Sequence, residues 1–167
     1  YHMYKPNVIW CFISSLYTFC LWLEANNLIL SHKPKFVICS AELVHDFMRI
    51  KVEDTFKVKV VDRYATVELG VVADQCSAGQ GYHIYEDSVV AEIVNVNGAS
   101  YFVGTNLDNY ATPFIRYNTK DRCEFWPVAP GDCSCGRRTR KIKIISGRDN
   151  DFLRSPSGRM IEPIKMI

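Results

Sequence analysis

Up to Val61 the apolar positions alternate between two spacings. Residues 14–27 (SSLYTFCLWLEANN) carry apolar side chains at helical intervals, and Ser14 or Ser15 is a natural N-cap. Lys35-Phe-Val-Ile-Cys-Ser40 is a short apolar run of the kind that forms a buried strand. Ala41 to Thr55 returns to the helical interval, with Leu43, Val44, Phe47, Met48 and Val52 on one face. Lys57-Val-Lys-Val-Val61 then alternates as a strand. Helices alternating with short apolar strands predict a parallel sheet with covered faces.

From Glu68 onward the pattern changes. Residues 88–96, 100–106, 112–117 and 141–145 read as short strands separated by Gly, Asn, Asp and Pro, and Asn95-Val-Asn-Gly98 reads as a hairpin turn. This predicts a mainly antiparallel β unit. After Gly147 the chain is polar and turn-rich, a linker leading into a strand at Arg159-Met-Ile161. A new element begins just before Ile167, which predicts a piece of a longer protein. The expected organisation is the end of an α/β subdomain over residues 1–70, a β-rich subdomain over 71–147, and a hinge with the start of a further domain over 148–167.

Composition narrows the functional classes. With 167 residues, 48% hydrophobic and 23% charged, the chain can build a core, so wholesale disorder is excluded. A formal net charge of +2 is too small to steer it to nucleic acid or an anionic membrane. The basic run Arg137-Arg-Thr-Arg-Lys-Ile-Lys-Ile144 alternates like a strand with one solvated face and has no interleaved aromatic platform, so no nucleic-acid partner is expected. The stretch from Asn7 to Leu23 is uncharged, but it is short for a membrane span and diluted by Asn7, Ser14, Ser15 and Thr18. No small-residue cleavage site follows it, so a buried helix is expected rather than a span or a signal peptide. Seven cysteines in a chain of this length argue against a disulfide scaffold and for reduced thiols in a cytoplasmic protein.

Three polar segments could carry chemistry. Tyr64-Ala-Thr-Val-Glu68 follows a parallel strand, where α/β sheets bind ligands; its aromatic could stack on a flat ring and its carboxylate could reach a metal–phosphate group. Pro113-Phe-Ile-Arg-Tyr-Asn-Thr-Lys-Asp121 reads as a strand ending in a polar turn that presents Asp121, a carboxylate able to accept both hydroxyls of a ribose. Gly147-Arg-Asp-Asn-Asp151 could be a hinge with Arg148 aimed at a nucleotide. Each segment taken singly also suits a solvated loop.

In order, Ser40-Ala41-Glu42, Tyr64 to Glu68, Ile115 to Asp121 and Gly147 to Leu153 resemble the adenylate-forming acyl-CoA ligase superfamily. The branch they resemble is the phenylacetate–CoA ligase family with its capsular polysaccharide biosynthesis relatives. Asp74-Gln-Cys76, Gly81 to Asp87 and Cys133-Ser-Cys-Gly-Arg137 add to the likeness, which runs from about Lys5 to the end. The resemblance implies a truncated adenylate-forming fold: a partial parallel α/β layer followed by a barrel-like antiparallel subdomain. It also implies ATP-dependent activation of an aromatic or related carboxylic acid through an acyl-adenylate, with coenzyme A as co-substrate.

By position, Ser40, Ala41 and Glu42 would line the adenine pocket, Tyr64 would stack near the purine and Thr66 would lie beside the nucleotide. Glu68 would bind Mg²⁺, Asp121 would hold the ribose with Arg148 beside it, and Asn150 would be the hinge residue. The chain departs from the family pattern at Ala65 and Val67, where Gly and a hydroxyl residue are usual. It also has no Ser/Thr/Gly-rich phosphate loop, and Ala78-Gly-Gln-Gly81 lacks the residues of one. The isolated chain is therefore expected to be inactive, and its unfilled edges to favour a homodimer or other self-association.

Cys133-x-Cys135 can place two thiolates on one metal, and Cys76 with His83 would complete a closed Cys₃His zinc site, a set that some branches of the family resemble. The alternative is a buried thiol and an edge-strand histidine. This leaves a second function class open, a non-catalytic zinc-stabilised binding or assembly module. Cys11, Cys20 and Cys39 lie in apolar contexts and are expected in the core.

Overall fold

The computed structural model describes residues 1, 3–79, 81–127, 133–148, 153–157 and 160–161, with the backbone course alone at 144–148, 153–154 and 160–161. The elements run β1 (Val8–Cys11), α1 (Ile13–Ala25), β2 (Phe36–Ser40), α2 (Asp46–Phe56), β3 (Val60–Thr66), β4 (Gly70–Gln75), β5 (Tyr82–Ile84), β6 (Val89–Val96), β7 (Ala99–Asn106), β8 (Tyr117–Phe125), β9 (Lys141–Arg148), β10 (Leu153–Arg154) and β11 (Met160–Ile161). The first nine strands form one sheet in the order β1-β2-β3-β4-β5-β9-β8-β7-β6, and β10 pairs with β11. β1, β2 and β3 are mutually parallel, and every later pairing in the large sheet is antiparallel. The α/β layer followed by an antiparallel β unit is the expected fold class.

Each part has its own core. In the parallel layer, Ile13, Leu16 and Cys20 of α1 and Val52 and Phe56 of α2 pack on Val37, Cys39 and Val60. Cys11 joins this cluster from its margin, so all three cysteines expected in the core are there. Both helices cover the same face. On the other face Val8, Trp10 and Phe36 are more than half exposed. In the antiparallel unit, Val72, Ala73, Ile84, Val89, Ala91, Phe102, Cys123 and Ile142 form a second core. The sheet curls around it until β3 meets β7 and β8, as the ring contact between Tyr64 and Phe102 records (5.6 Å between centroids).

Several element boundaries differ from those the sequence predicts. The apolar stretch before Leu23 divides into a strand, β1, and a helix that starts after Phe12, so neither Ser14 nor Ser15 is the N-cap. Instead the Glu42 carboxylate accepts from the Ser14 amide at 3.1 Å and the Ser14 hydroxyl at 2.9 Å, capping α1 from another segment. Among the described residues no helix is long and apolar enough to cross a membrane.

Helix α2 begins at Asp46 rather than Ala41, and Leu43 and Phe47 are exposed while Val52 and Phe56 face inward. Lys57 caps that helix in the left-handed region, so the following strand starts at Val60. Residues 112–116 are not a strand; β8 begins at Tyr117. The Asn97-Gly98 turn is as expected: φ values of 52° and 81° suit a two-residue hairpin, with Val96 opposite Ala99. Strand β4 has no counterpart in the sequence reading, and β5 only the alternative that places His83 on an edge strand; β5 is an inner strand between β4 and β9.

Candidate functional site

The carboxyl ends of the three parallel strands lie side by side. β2 ends at Ser40, whose hydroxyl accepts the Trp10 indole N–H at 2.9 Å, and Ala41 turns the chain with φ 68° so that Glu42 reaches α1. Ser40 pairs with Arg63 of β3. From Arg63 the strand alternates. Arg63 projects to the side of Trp10, its guanidinium 5.0 Å from the ring centroid, and pairs with Asp74 at 2.7 and 2.8 Å. Tyr85 donates to the same carboxylate at 2.7 Å. Burial opposes the charge on Asp74, but Arg63 and Tyr85 outweigh it and hold the carboxyl below its usual range.

Tyr64 points the other way, into the antiparallel unit. Its hydroxyl donates to Asp121 at 2.5 Å and lies 3.3 Å from the Thr119 hydroxyl. Burial, the Asp121 charge and the hydrogen bond to it all raise the Tyr64 pKa, so the phenol stays protonated and keeps donating. Thr119 in turn donates to the Phe102 carbonyl at 3.2 Å and accepts from the Asp121 amide at 3.2 Å. Asp121 is therefore not on a turn, as the sequence reading has it. It is a buried residue inside β8, pinned through its side chain and its amide.

Glu68 stands on the β3–β4 turn, where Tyr117 of β8 donates to its carboxylate at 2.7 Å. Thr66 accepts the Leu69 amide at 3.0 Å, so its hydroxyl shapes that turn, and Val67 at the tip is fully exposed. Across the ladder from Asp121 stands Arg148, the last residue of β9. Gly147 and Arg148 thus belong to a strand rather than a hinge loop, and Asn150 lies outside the described residues.

Five candidate positions from distant segments come together here: Tyr64, Thr66, Glu68, Asp121 and the Arg148 backbone. Ser40, Ala41 and Glu42 adjoin them at the end of the neighbouring strand. Sequence reasoning missed Tyr117 and Thr119. Their signal is the two-residue alternation Tyr117, Thr119, Asp121, Cys123 along β8, hidden because its first three inward positions are polar.

The second cluster is the Cys/His set. The ligand atoms of Cys76, His83, Cys133 and Cys135 all lie within 4.8 Å of one another. Cys76 Sγ is 3.4 Å from Cys133 Sγ, and Cys135 Sγ is 3.2 Å from His83 Nε2. A tetrahedral zinc would need edges of about 3.8 Å between sulfurs and about 3.6 Å between sulfur and nitrogen, so these two contacts would open by a few tenths of an ångström. The far nitrogen, His83 Nδ1, lies 3.2 Å from the Thr139 carbonyl, the kind of partner that fixes a ligating imidazole.

The Cys133 thiol is pushed down to about 6 by the Cys135 amide and by its neighbours Cys76, His83 and Cys135, while burial pushes Cys76 up. The Lys141 ammonium, 3.6 Å from Cys133 Sγ, adds positive charge beside the thiols. Donor chemistry, spacing and outer partners all fit a structural zinc, and four protein donors leave no position open for catalysis.

Comparison with known proteins gives a consistent picture. No protein-family model matches the chain. Protein CapK of Staphylococcus aureus is 28% identical over 91% of this chain and 33% of its own length. The phenylacetate-coenzyme A ligases of Thermus thermophilus and Pseudomonas putida are 28% and 29% identical over 71% and 72% of this chain. The chain spans about a third of the length of the curated relatives it matches.

A crystal structure of 2-hydroxyisobutyryl-CoA ligase in complex with 2-HIB-AMP superposes on 97% of the chain with a TM-score of 0.75 and 18% identity, covering 36% of that protein. The anthranilate CoA ligase AuaEII in complex with anthranoyl-AMP gives a TM-score of 0.65 at 10% identity over 98% of the chain and 34% of its own. By sequence the chain is similar to about a third of Protein CapK and of two phenylacetate-coenzyme A ligases, and it carries a fold found in acyl-CoA ligases.

Proposed function

We propose that this chain is the adenosine-binding portion of an ATP-dependent, AMP-forming ligase that joins an aromatic or related carboxylic acid to coenzyme A. The observation that carries the reading is the convergence of Tyr64 and Asp121 (2.5 Å) and of Glu68 and Tyr117 (2.7 Å) beside the ends of parallel strands. The ligands named for the structural neighbours, 2-HIB-AMP with CoA and anthranoyl-AMP, support the same ligand class. In this reading Asp121, held by Tyr64 and Thr119, accepts the ribose hydroxyls with Arg148 across the ladder. Ser40, Ala41 and Glu42 border the adenine, and Tyr64 and Thr66 lie beside it. Glu68 holds Mg²⁺, which neutralises phosphate charge when bound, and Tyr117 orients its carboxylate.

Residues 1–70 close the α/β subdomain, 71–147 form the β-rich subdomain, and 148–167 lead through Asn150 into the small domain. The bare apolar face of β1–β3 fits a portion of a larger fold, because parallel strands are ordinarily covered on both sides. The isolated chain binds nucleotide but completes no turnover, associates with a second copy through its uncovered surfaces, and works in the cytoplasm. Zinc is held by Cys76, His83, Cys133 and Cys135 as a structural ion.

Titration calorimetry with AMP tests the site. The chain binds AMP, and Asp121→Asn, which still accepts from Tyr64, weakens binding about tenfold, as loss of a charge-assisted hydrogen bond should. Equal binding by both would overturn the assignment of Asp121. The rival reading is a zinc-stabilised assembly module without catalysis, favoured by the four-donor Cys/His cluster that leaves no open ligand position. Carboxylate-dependent ATP–pyrophosphate exchange by the full-length parent decides between them; no exchange with zinc intact selects the module.

A further inference from the structure

We infer that the Cys76–His83–Cys133–Cys135 centre is a staple across the weakest seam of the β unit, and that by closing this seam it sets the geometry of the Tyr64–Asp121 site. The inference rests on the zinc and nucleotide readings above and adds a coupling between them.

The seam is visible in the pairing. β3, β4 and β5 form one run of the sheet and β9, β8, β7 and β6 another, joined through β5 and β9. Among the described residues that junction has two ladder pairs, Tyr82 with Ile142 and His83 with Lys141, against eight between β6 and β7. β5 is only three residues long. A ladder this short is marginal in water without further support. The Ile84 amide donating to the Arg140 carbonyl at 3.0 Å and the Glu86–Arg140 ion pair prolong it slightly. That ion pair is partly exposed and contributes little.

The four donors straddle this junction. Cys76 follows β4 and His83 lies in β5, both on one side. Cys133 and Cys135 belong to the β8–β9 connection on the other. The intervening loop is shaped for close approach: Gly81 has φ 68°, and a Cβ there would meet the Ile142 carbonyl and the Trp126 ring at 3.2 Å. One tetrahedral ion would therefore tie the two runs together where their hydrogen bonding is sparsest.

The nucleotide candidates straddle the same division. Tyr64 and Glu68 belong to the first run, Asp121 and Tyr117 to the second. Their contacts, 2.5 and 2.7 Å, exist only while the two runs stay closed around the shared core. The centre touches none of these four residues in any hydrogen bond described, so its influence passes through the seam. Cys76, His83, Cys133 and Cys135 are thereby positioning residues.

The test compares the zinc-loaded chain with the same chain after EDTA. Amide exchange at Ile84 and Trp126, beside the seam, should quicken about tenfold, while Leu16 and Arg49 in the helical layer stay within about twofold. AMP affinity should fall about fivefold, and added zinc should restore both. A Cys135→His chain, which keeps a fourth donor, should retain the slow exchange. Unchanged exchange at Ile84 after complete metal loss would overturn the staple. Uniform acceleration in both layers would do the same, since the ion would then hold the whole fold. Faster seam exchange with unchanged AMP affinity would overturn the coupling. A purified chain that takes up no zinc overturns the metal reading and the inference with it. A zinc-loaded chain that binds no AMP overturns the nucleotide reading, and the exchange arm then decides the staple by itself.

Discussion

The parallel layer and the antiparallel unit solve the same packing problem with different kinds of residue. Around β1–β3 the core is built from aliphatic and aromatic side chains of helices and strands close in sequence, and its interior is almost wholly apolar. The β unit also has an apolar centre, but its margins hold Asp62, Asp74, Thr119 and Asp121, each buried and each bonded to a partner on another strand. The first region is a platform. The second is where folding brings polar groups together, and buried polar groups are tolerated only when their partners arrive with them. Buried polar pairs therefore concentrate where the second region meets the edge of the first.

The sharpest way to separate the two regions is to open a cavity in each. Phe102→Ala and Phe56→Ala should each cost about 3–5 kcal/mol in denaturant unfolding, since both rings are fully buried. Only Phe102→Ala should also weaken AMP binding, because the Tyr64 ring packs edge-on against Phe102. Equal effects on AMP would erase the distinction.

Next in size is the ion pair that joins β3 to β4. Arg63→Ala leaves Asp74 buried without its main countercharge and should cost about 3 kcal/mol. This pair also has a pH signature. The Asp74 carboxyl lies below its unfolded value of about 4, so its contribution is complete above about pH 5 and is lost as pH falls through the lower folded value. Acid unfolding of wild type and Arg63→Ala should converge there.

A smaller effect tests how the helical layer is tied in. Glu42→Ala removes the acceptor at the start of α1 and should cost about 1 kcal/mol in thermal unfolding. The smallest concerns Asp62. Burial raises its pKa despite the Tyr82 hydroxyl and the nearby Arg49. A raised carboxyl favours the folded state as pH drops through the folded value, so near neutrality its charge is a slight liability. Asp62→Asn, which can still accept from Tyr82, should be neutral or slightly stabilising at pH 7 and should flatten that pH dependence. A clear loss of stability would mean that the charge itself is needed there.

Two features of the site show how far the sequence could be read. The motif order alone marked Tyr64, Glu68 and Asp121, and the Cys-x-Cys spacing with Cys76 and His83 marked a candidate metal cluster; the fold gathers each set. The local setting of Asp121 was misread. Asn118, Lys120 and Asp121 look like a turn because strands rarely bury carboxylates. Here Thr119 and Asp121 face inward because Tyr64, 57 residues earlier, supplies the matching donor. Glu42 shows the same effect. By the resemblance it reads as a pocket residue, and its carboxylate caps a helix that begins 29 residues before it.

The sequence by itself determined the two-part order of helical and β patterns, the apolar core positions, the Asn97-Gly98 hairpin and the identity of the chemical groups. These depend on periodicity and on the conformational limits of single residues, both local. Tertiary structure decided where β4 and β5 form, which polar residues of β8 turn inward, and that the thiol cluster and the Tyr64–Asp121 contact both link the same two runs of the sheet. Those outcomes depend on pairing between segments far apart in the chain. A buried carboxylate or thiol is acceptable only where such a partner arrives, and no local pattern records that arrival.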